Sequence, residues 1–271
     1  MVDGFGAGVD ANRAAPIGSV AVPAVEALGI TKRFGSLEVL RGVSVSLHRG
    51  VITAIVGDNG AGKSTFMKVL SGEHVPDGGT LRIDGQPVAF RSTQDAQSFG
   101  IETVYQDLAL APDLSILANI YLGRELTAPG FLGRLGTLDR PAMLADSAAI
   151  LTALGVRIKS YRARTQSLSG GQRQGVAIGR AMKWARHAIL LDEPTAALGA
   201  RQRAMVYDAI RAAAQRQLAV LLISHDLPQV LELSARIIVM RQGVAVADLT
   251  PSEVTVRDIV DVMLGATGGP A

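Results

Sequence analysis

A run of nine residues combines glycines with a lysine and two hydroxyl side chains: Gly57-Asp58-Asn59-Gly60-Ala61-Gly62-Lys63-Ser64-Thr65. It follows an apolar, β-branched run that predicts a strand, and it opens a stretch that predicts a helix. In that setting the glycines let backbone N–H groups point at phosphate oxygens, and the helix adds its positive end. Lys63 can then reach the β- and γ-phosphates, while the Ser64 hydroxyl can bind Mg²⁺. The alternative is a glycine-rich loop with a chance lysine. On its own, the motif predicts only nucleoside-triphosphate binding.

The acidic pair Asp192-Glu193 is a second candidate for a functional site. Asp192 is the last residue of the apolar run 188–192, and Glu193 follows it directly. Ligand groups in a parallel sheet lie at the carboxyl ends of strands. Asp192 can therefore hold Mg²⁺ through water, and Glu193 can orient or deprotonate an attacking water. The competing interpretation is a polar strand end without a catalytic role.

The elements that must position these groups alternate along the chain. Such alternation favours an α/β fold with a parallel sheet. A final helix is predicted with Thr250 as its cap, Pro251 in its first turn and Glu253 closing a capping box. The predicted strands are 25–30, 43–47, 51–56, 80–83, 87–90, 101–105, 188–192, 219–224, 237–240 and 244–247, with a turn at Asp84-Gly85. The other predicted helices are 63–71, 116–122, 141–154, 169–185, 200–215 and 227–233.

Composition and charge exclude several kinds of site and several classes of protein. The chain has 271 residues, 48% of them hydrophobic, a net charge of +3 and no cysteine, which excludes disulfides, thiolate metal sites and iron–sulfur clusters. No apolar run reaches the about 18 residues that a membrane span needs. The modest charge gives no indication of nucleic-acid binding. Residues 1–24 carry no targeting pattern and are expected to be a disordered tail, 25–265 the folded domain, and 266–271 a flexible C-terminus.

The run Leu168-Ser169-Gly170-Gly171-Gln172 resembles the signature of the ATP-binding-cassette (ABC) ATPases. Lys63, Gln106, Asp192-Glu193 and His225 follow the order and spacing of that family, so the resemblance spans about residues 25–265. It implies a P-loop NTPase core with a mainly parallel sheet, an N-terminal antiparallel β subdomain and a helical subdomain at about 107–170. It also implies ATP hydrolysis with Mg²⁺.

The resemblance further implies that one working site needs two cassettes. Ser169, Gly170, Gly171 and Gln172 would close on ATP held by a second cassette, with Ser169 and the glycine amides contacting its γ-phosphate. The residues themselves are compatible with this, because a serine before two glycines can cap a helix whose free N–H groups attract anions.

Three further roles are carried over from the family. Gln106 would contact Mg²⁺ and the attacking water, His225 the γ-phosphate, and Phe34 the adenine ring. The alternatives are a loop glutamine, a structural histidine and a packed core phenylalanine. One position departs from the family, because Gly199 stands where it usually has Asp. That substitution puts the communication between the two sites in doubt, although hydrolysis is still expected.

Segments 104–115, 119–125 and 192–199 resemble bacterial importers of monosaccharides of the ribose, xylose and fructose group. The implied partners are a second cassette, separate membrane permease subunits and, indirectly, an external sugar-binding protein, but no nucleic acid. The implied location is peripheral, at the cytoplasmic face of the membrane, with permease docking around 108–123. The alternatives are an exporter or another importer and, as a separate class, a soluble ABC ATPase acting on nucleic acid or ribosomes. Only about 100 residues separate Lys63 from Ser169, which leaves no room for the coiled coil of the chromosome-associated type.

Overall fold

The computed structural model describes residues 22–196 and 198–266, which form two β-sheets with helices packed on them. The strands are β1 Val25–Phe34, β2 Leu37–Leu47, β3 Ile52–Val56, β4 Gly78–Ile83, β5 Gln86–Val88, β6 Ile101–Val104, β7 Ala188–Asp192, β8 Ala219–Ile223, β9 Arg236–Arg241 and β10 Val244–Leu249. The helices are α1 Lys63–Leu70, α2 Thr93–Ser98, α3 Ile116–Tyr121, α4 Phe131–Arg134, α5 Arg140–Ala153, α6 Gly170–Trp184, α7 Ala200–Gln215, α8 Leu227–Leu233 and α9 Val256–Leu264.

The N-terminal sheet is antiparallel, with strand order β2-β1-β4-β5. Its inner face buries alternate residues of β1, among them Val25 and Ala27, as expected for a sheet with one face toward the core. Asp84 and Gly85 join β4 to β5 with φ of 46° and 77°. Both values lie in the left-handed region that a two-residue Asp-Gly hairpin requires, so the predicted turn is confirmed.

The second sheet carries the order β10-β9-β3-β8-β7-β6. Every pairing from β9 through β6 is parallel, and β10 alone runs antiparallel to its neighbour β9. The central strands β3 and β8 are buried at every position, which explains why their sequences are apolar without alternation. The predicted α/β fold, with its mainly parallel sheet and antiparallel N-terminal subdomain, is confirmed.

Helices α3, α4 and α5 lie between β6 and α6 in the chain, in the region predicted to be helical. Two glycines of α6 allow this layer to pack closely. A Cβ at Gly175 would lie 2.4 Å from Val156 Cγ2, and one at Gly179 would lie 2.6 Å from Leu151 Cδ2. These glycines therefore have a packing role that any side chain would obstruct.

Several predicted boundaries were wrong. The final helix begins at Val256, with Thr255 as its cap and Asp258 completing the capping box, whereas 251–253 form a short 3₁₀ turn. Helix α2, capped by Ser92, was not predicted. Ala24, assigned to the tail, is fully buried, and its carbonyl accepts from the Asp84 N–H at 3.3 Å. The predictions for residues 1–21 and 267–271 lie outside the described residues.

Within residues 22–196 and 198–266, no helix combines the length and the apolar character that crossing a bilayer would demand.

Candidate nucleotide-binding site

The glycine loop joins the end of β3 to the start of α1, as the motif predicts. Gly57 has φ of 151°, and a Cβ there would lie 2.1 Å from the Met240 carbonyl oxygen. Gly62 is the N-cap of α1 with φ of 100°, and no side chain caps the helix there. The loop thus needs glycine for both its conformation and its close packing, and it leaves the helix N-terminus available to an anion.

The Lys63 ammonium lies inside this loop. Its Nζ donates to the carbonyl oxygens of Gly57 at 2.6 Å and Asp58 at 2.9 Å. Burial lowers the pKa of Lys63, and the nearby carboxylates, chiefly that of Glu193, oppose the shift. The loop and Glu193 line one open cavity, whose walls are Val39, Asn59, Gly60, Ala61, Gly62, Lys63, Ser64, Thr65, Glu193 and Ile223. The cation occupies the place where phosphate charge would be neutralised.

The acidic pair and His225 meet at the same sheet edge. Strands β7 and β8 are neighbours, so the residues that follow them emerge together. Glu193 Oε1 lies 3.1 Å from His225 Nδ1, and the two side chains are 28% and 72% exposed. Glu193 has φ of 45°, which is uncommon for a residue with a side chain, and its N–H donates to the Ile223 carbonyl at 2.9 Å. This strained backbone turns the carboxylate toward the cavity.

Asp192 ends β7 and is partly buried. Burial raises the pKa of Asp192, the Glu193 charge raises it further, and Lys63 and Lys68 oppose the shift. In the described part of the chain, no cluster of three histidine, cysteine, aspartate or glutamate side chains could hold a metal by itself. The predicted ligands are one hydroxyl, that of Ser64, and one carboxylate, that of Asp192. Such a set fits Mg²⁺, which takes few protein ligands and completes its shell with phosphate oxygens and water.

Gln106 lies exposed just beyond β6, the strand that pairs with β7. Among the described residues, its side chain makes no hydrogen bond to Lys63, Glu193 or His225. The structure places Gln106 next to the acidic strand without connecting it to the cradle, and its predicted contact with Mg²⁺ and water stays a prediction.

Phe34 is 44% exposed at the end of β1, so the alternative of a packed core residue is wrong. The His74 ring meets it edge-on, with centroids 5.2 Å apart, and Lys32 Nζ lies 5.6 Å from its centroid. An exposed ring flanked by a cation can stack on a base. The adenine contact remains a prediction.

The signature residues lie at the start of α6, where Ser169 is the N-cap as predicted. Ser169 Oγ accepts from the Gln172 N–H at 3.3 Å, and Gln172 Oε1 accepts from the Ser169 N–H at 3.1 Å. Gln172 Nε2 donates to the Arg157 carbonyl at 2.9 Å. In the part of the chain that the structure describes, no residue from 169 to 172 lines the cavity beside Lys63. One chain therefore does not bring the signature and the cradle together.

One buried residue near the site was missed from the sequence. Gln229, on α8, accepts through Oε1 from Thr195 Oγ1 at 3.1 Å and from Ser224 Oγ at 2.9 Å. Thr195 follows Glu193 by two positions, and Ser224 immediately precedes His225. The amide thus links the two segments that carry the catalytic candidates. A polar residue on the buried face of an amphipathic helix was the available signal.

A glycine-rich phosphate loop lies between the buried strand β3 and a helix, and it faces the acidic end of β7, two strands away in the sheet. This arrangement defines a P-loop nucleotide-binding ATPase domain. Comparison with known proteins gives the family. The profile described as "ABC transporter" matches residues 40–196. The chain belongs to the ABC transporter family, and the resemblance drawn from the signature is confirmed.

Two relatives match over nearly their whole length. The fructose import ATP-binding protein of Rhizobium meliloti is 43% identical over 250 residues, covering 92% of this chain and 96% of its own. The xylose/arabinose import ATP-binding protein of Sulfolobus acidocaldarius is 42% identical over 239 residues, covering 88% and 93%. The resemblance to monosaccharide importers is confirmed.

Solved structures agree on the fold. A nucleotide-free ATP-binding cassette from an ABC transporter superposes with a TM-score of 0.74 at 25% identity, covering 90% of this chain and 96% of its own. A dimeric bacterial ABC transporter cassette superposes with a TM-score of 0.70 at 21% identity, covering 84% and 98%, and shows the fold alone.

Proposed function

We propose that this chain is the ATP-binding and ATP-hydrolysing subunit that powers import of a monosaccharide through separate membrane permease subunits. One observation carries the ATPase part. The Lys63 cradle and Glu193 face the same cavity at the carboxyl edge of the parallel sheet, and His225 pairs with Glu193 there. The relatives named for fructose and for xylose/arabinose import support the choice of sugar import over export or action on nucleic acid.

Each residue contributes a distinct step to hydrolysis. Lys63 exchanges its two loop carbonyls for β- and γ-phosphate oxygens, and loop N–H groups surround the remaining oxygens. Glu193 orients the attacking water and accepts its proton. His225, already 3.1 Å from Glu193, holds that carboxylate and reaches the γ-phosphate. Because no covalent intermediate is needed, the chain acts by positioning and by electrostatic stabilisation.

Ser64 and Asp192 would hold Mg²⁺ together with the nucleotide, and Gln106 would join them. When bound, Mg²⁺ would neutralise part of the charge on the phosphate groups. The position of Asp192 at the carboxyl end of β7 supports this assignment, since ligand groups in a parallel sheet lie at the carboxyl ends of its strands.

A second cassette completes each site in this proposal. Ser169, Gly170 and Gly171 would contact the γ-phosphate held by the other subunit. Their separation from the cradle within one chain supports such an arrangement. Docking to a permease would place the protein peripherally at the cytoplasmic membrane face, with an external sugar-binding protein delivering the cargo.

The hydrolysis step is tested with Glu193→Gln. This variant keeps the shape of the side chain and removes the proton acceptor. We expect kcat to fall by about 10² or more while ATP affinity stays within about threefold. Glu232→Gln, on the exposed end of α8, is the matched control and should hydrolyse ATP normally. Turnover near the wild-type value in Glu193→Gln would refute the assignment.

The cargo is tested with the chain reconstituted in vesicles together with the permease and binding protein that co-purify with it. ATP hydrolysis should rise several-fold on addition of one monosaccharide among fructose, xylose, arabinose and ribose, with matching uptake of labelled sugar. Stimulation by none of these sugars, or co-purification with ribosomes or DNA in place of a permease, would contradict the import proposal.

A further inference from the structure

The turn that follows Gln106 has an unusual backbone. Leu108 and Ala109 have φ of 64° and 44°, the left-handed region that residues with side chains rarely enter. Two consecutive residues of this kind persist only when their surroundings hold them. Local bonds are few: the Leu108 N–H donates to the Tyr105 carbonyl at 2.9 Å, and the Ala109 N–H donates to Asp107 Oδ1 at 3.2 Å.

The main outside support comes from Arg180, two-thirds along α6. Its Nη1 donates to the Ala109 carbonyl at 2.7 Å, and its Nη2 donates to the Leu108 carbonyl at 3.1 Å. Across residues 22–196 and 198–266, no other side chain donates to these two carbonyls. The planar guanidinium presents two donors in a fixed fork, which matches two successive carbonyls. A lysine would have to reach both carbonyls from one nitrogen atom, without that fixed fork.

The chain on either side of the turn is fixed by different residues. Before it, Glu102 of β6 is 6% exposed and accepts from Arg124 at 2.6 Å. After it, the buried Asn119 bonds both backbone groups of Ala111, at 2.8 Å and 3.0 Å. The turn at 106–109 is therefore the segment whose conformation depends on α6.

We propose that Arg180 is a positioning residue for hydrolysis. It holds the left-handed turn that sets the position of Gln106, and it ties that position to the helix that begins beside Ser169. This inference rests on the proposed function, because it assigns Gln106 a role in hydrolysis.

The test is a double-mutant cycle on the full chain. Arg180→Lys is the test variant, because it keeps the charge and loses the fork of two donor nitrogens. Lys183→Met is the matched control, since Lys183 lies on the same helix and pairs with Asp146 instead of the turn. Steady-state ATP hydrolysis gives kcat and KM for each variant, alone and combined with Gln106→Ala.

We expect Arg180→Lys to lower kcat by about tenfold with KM for ATP within about twofold. In the Gln106→Ala background, the same substitution should lower kcat by less than about twofold, because its effect passes through Gln106. Lys183→Met should keep kcat within about twofold. Equal losses from Arg180→Lys in both backgrounds, or an equal loss from Lys183→Met, would overturn the inference. A wild-type chain without ATP hydrolysis would instead reject the proposed function.

Discussion

Gly199 allows a direct test of how helix capping contributes to the stability of this domain. It is the N-cap residue of the 16-residue helix α7, and it has no side chain that could cap the helix. The Gly199 backbone lies at φ −70° and ψ 162°, a conformation that any residue adopts. A Cβ built there meets nothing within 4 Å. Half of a capping box already exists, since Gln202 Oε1 accepts from the Gly199 N–H at 3.3 Å. Gly199→Asp should supply the other half.

The expected gain has two sources. Replacing glycine where the backbone is unstrained removes unfolded-state entropy worth about 0.4–1 kcal/mol. A carboxylate that accepts from the free N–H groups of the first turn adds a few tenths more, assisted by the helix dipole. The sum is about 1 kcal/mol, which raises the melting temperature by about 2–4 °C for a domain of this size.

Gly199→Ala is the matched control for the cap. Gly199→Ala reduces the entropy of the unfolded chain in the same way, but alanine is a poorer N-cap than glycine. The melting temperature of this variant should therefore stay within about 1 °C of the wild type. Both variants are compared by thermal unfolding in low salt at neutral pH. If alanine stabilises the chain as much as aspartate, or if aspartate gives no gain, then capping does not govern this helix start.

Three further predictions concern the cradle and the helical layer. Lys63→Ala should lose nucleotide binding and turnover together, and unchanged ATP affinity in an equilibrium binding assay would contradict the role of its ammonium. Gly57→Ala should lower the free energy of unfolding by about 2–4 kcal/mol in urea, because the new Cβ would lie 2.1 Å from the Met240 carbonyl oxygen, whereas a loss under about 1 kcal/mol would contradict that close approach. Burial raises the pKa of Asp146, but hydrogen bonding, above all to Lys183, outweighs it and leaves this pKa below its usual value. The carboxylate therefore stabilises the fold above the unfolded-state pKa of about 4, and this contribution disappears as the pH falls through the lower folded-state value. The difference in melting temperature between wild type and Asp146→Asn should be largest at pH 7 and should decrease in acid. A difference that stays constant from pH 7 to pH 2 would contradict this assignment.

The sequence predicted the positions of the glycine loop and of the acidic strand end because both motifs depend on local backbone chemistry. A glycine loop between a buried strand and a helix forms the same cradle wherever it occurs, and Asp192 ends its strand at the residue predicted. Helices α7 and α8 also begin and end where their patterns indicated. These elements have strong periodicity and clear starts, so tertiary packing did not need to override them.

The start of the last helix was predicted wrongly because two local signals competed. Both Thr250 and Thr255 can cap a helix, and both are followed three residues later by an acidic side chain. The capping box of the second is present in the structure, whereas Thr250 precedes only a 3₁₀ turn. Helix α2 was missed because its six residues include one buried side chain, Ala96, which is too little for a hydrophobic period to show. The helical pattern could have indicated that Gln229 is buried, but its two partners could not be predicted, because Thr195 and Ser224 are brought together only by the order of the strands.

The two signature glycines, Gly170 and Gly171, differ in how closely neighbouring residues surround them. A Cβ at Gly171 would lie 3.0 Å from Gln202 Cβ and 3.1 Å from its Cγ, so Gly171 allows α6 to pack against α7 within one chain. A Cβ at Gly170 would meet only the end of the Leu198 side chain at 3.1 Å and Gln202 Oε1 at 3.9 Å. A substitution at Gly171 therefore disturbs the fold and any phosphate contact together. Ser169 is half of a capping box at an exposed helix start, and Thr can replace it there as a cap while adding only one methyl group. Position 169 is thus where a role across two subunits can be separated from a role within one.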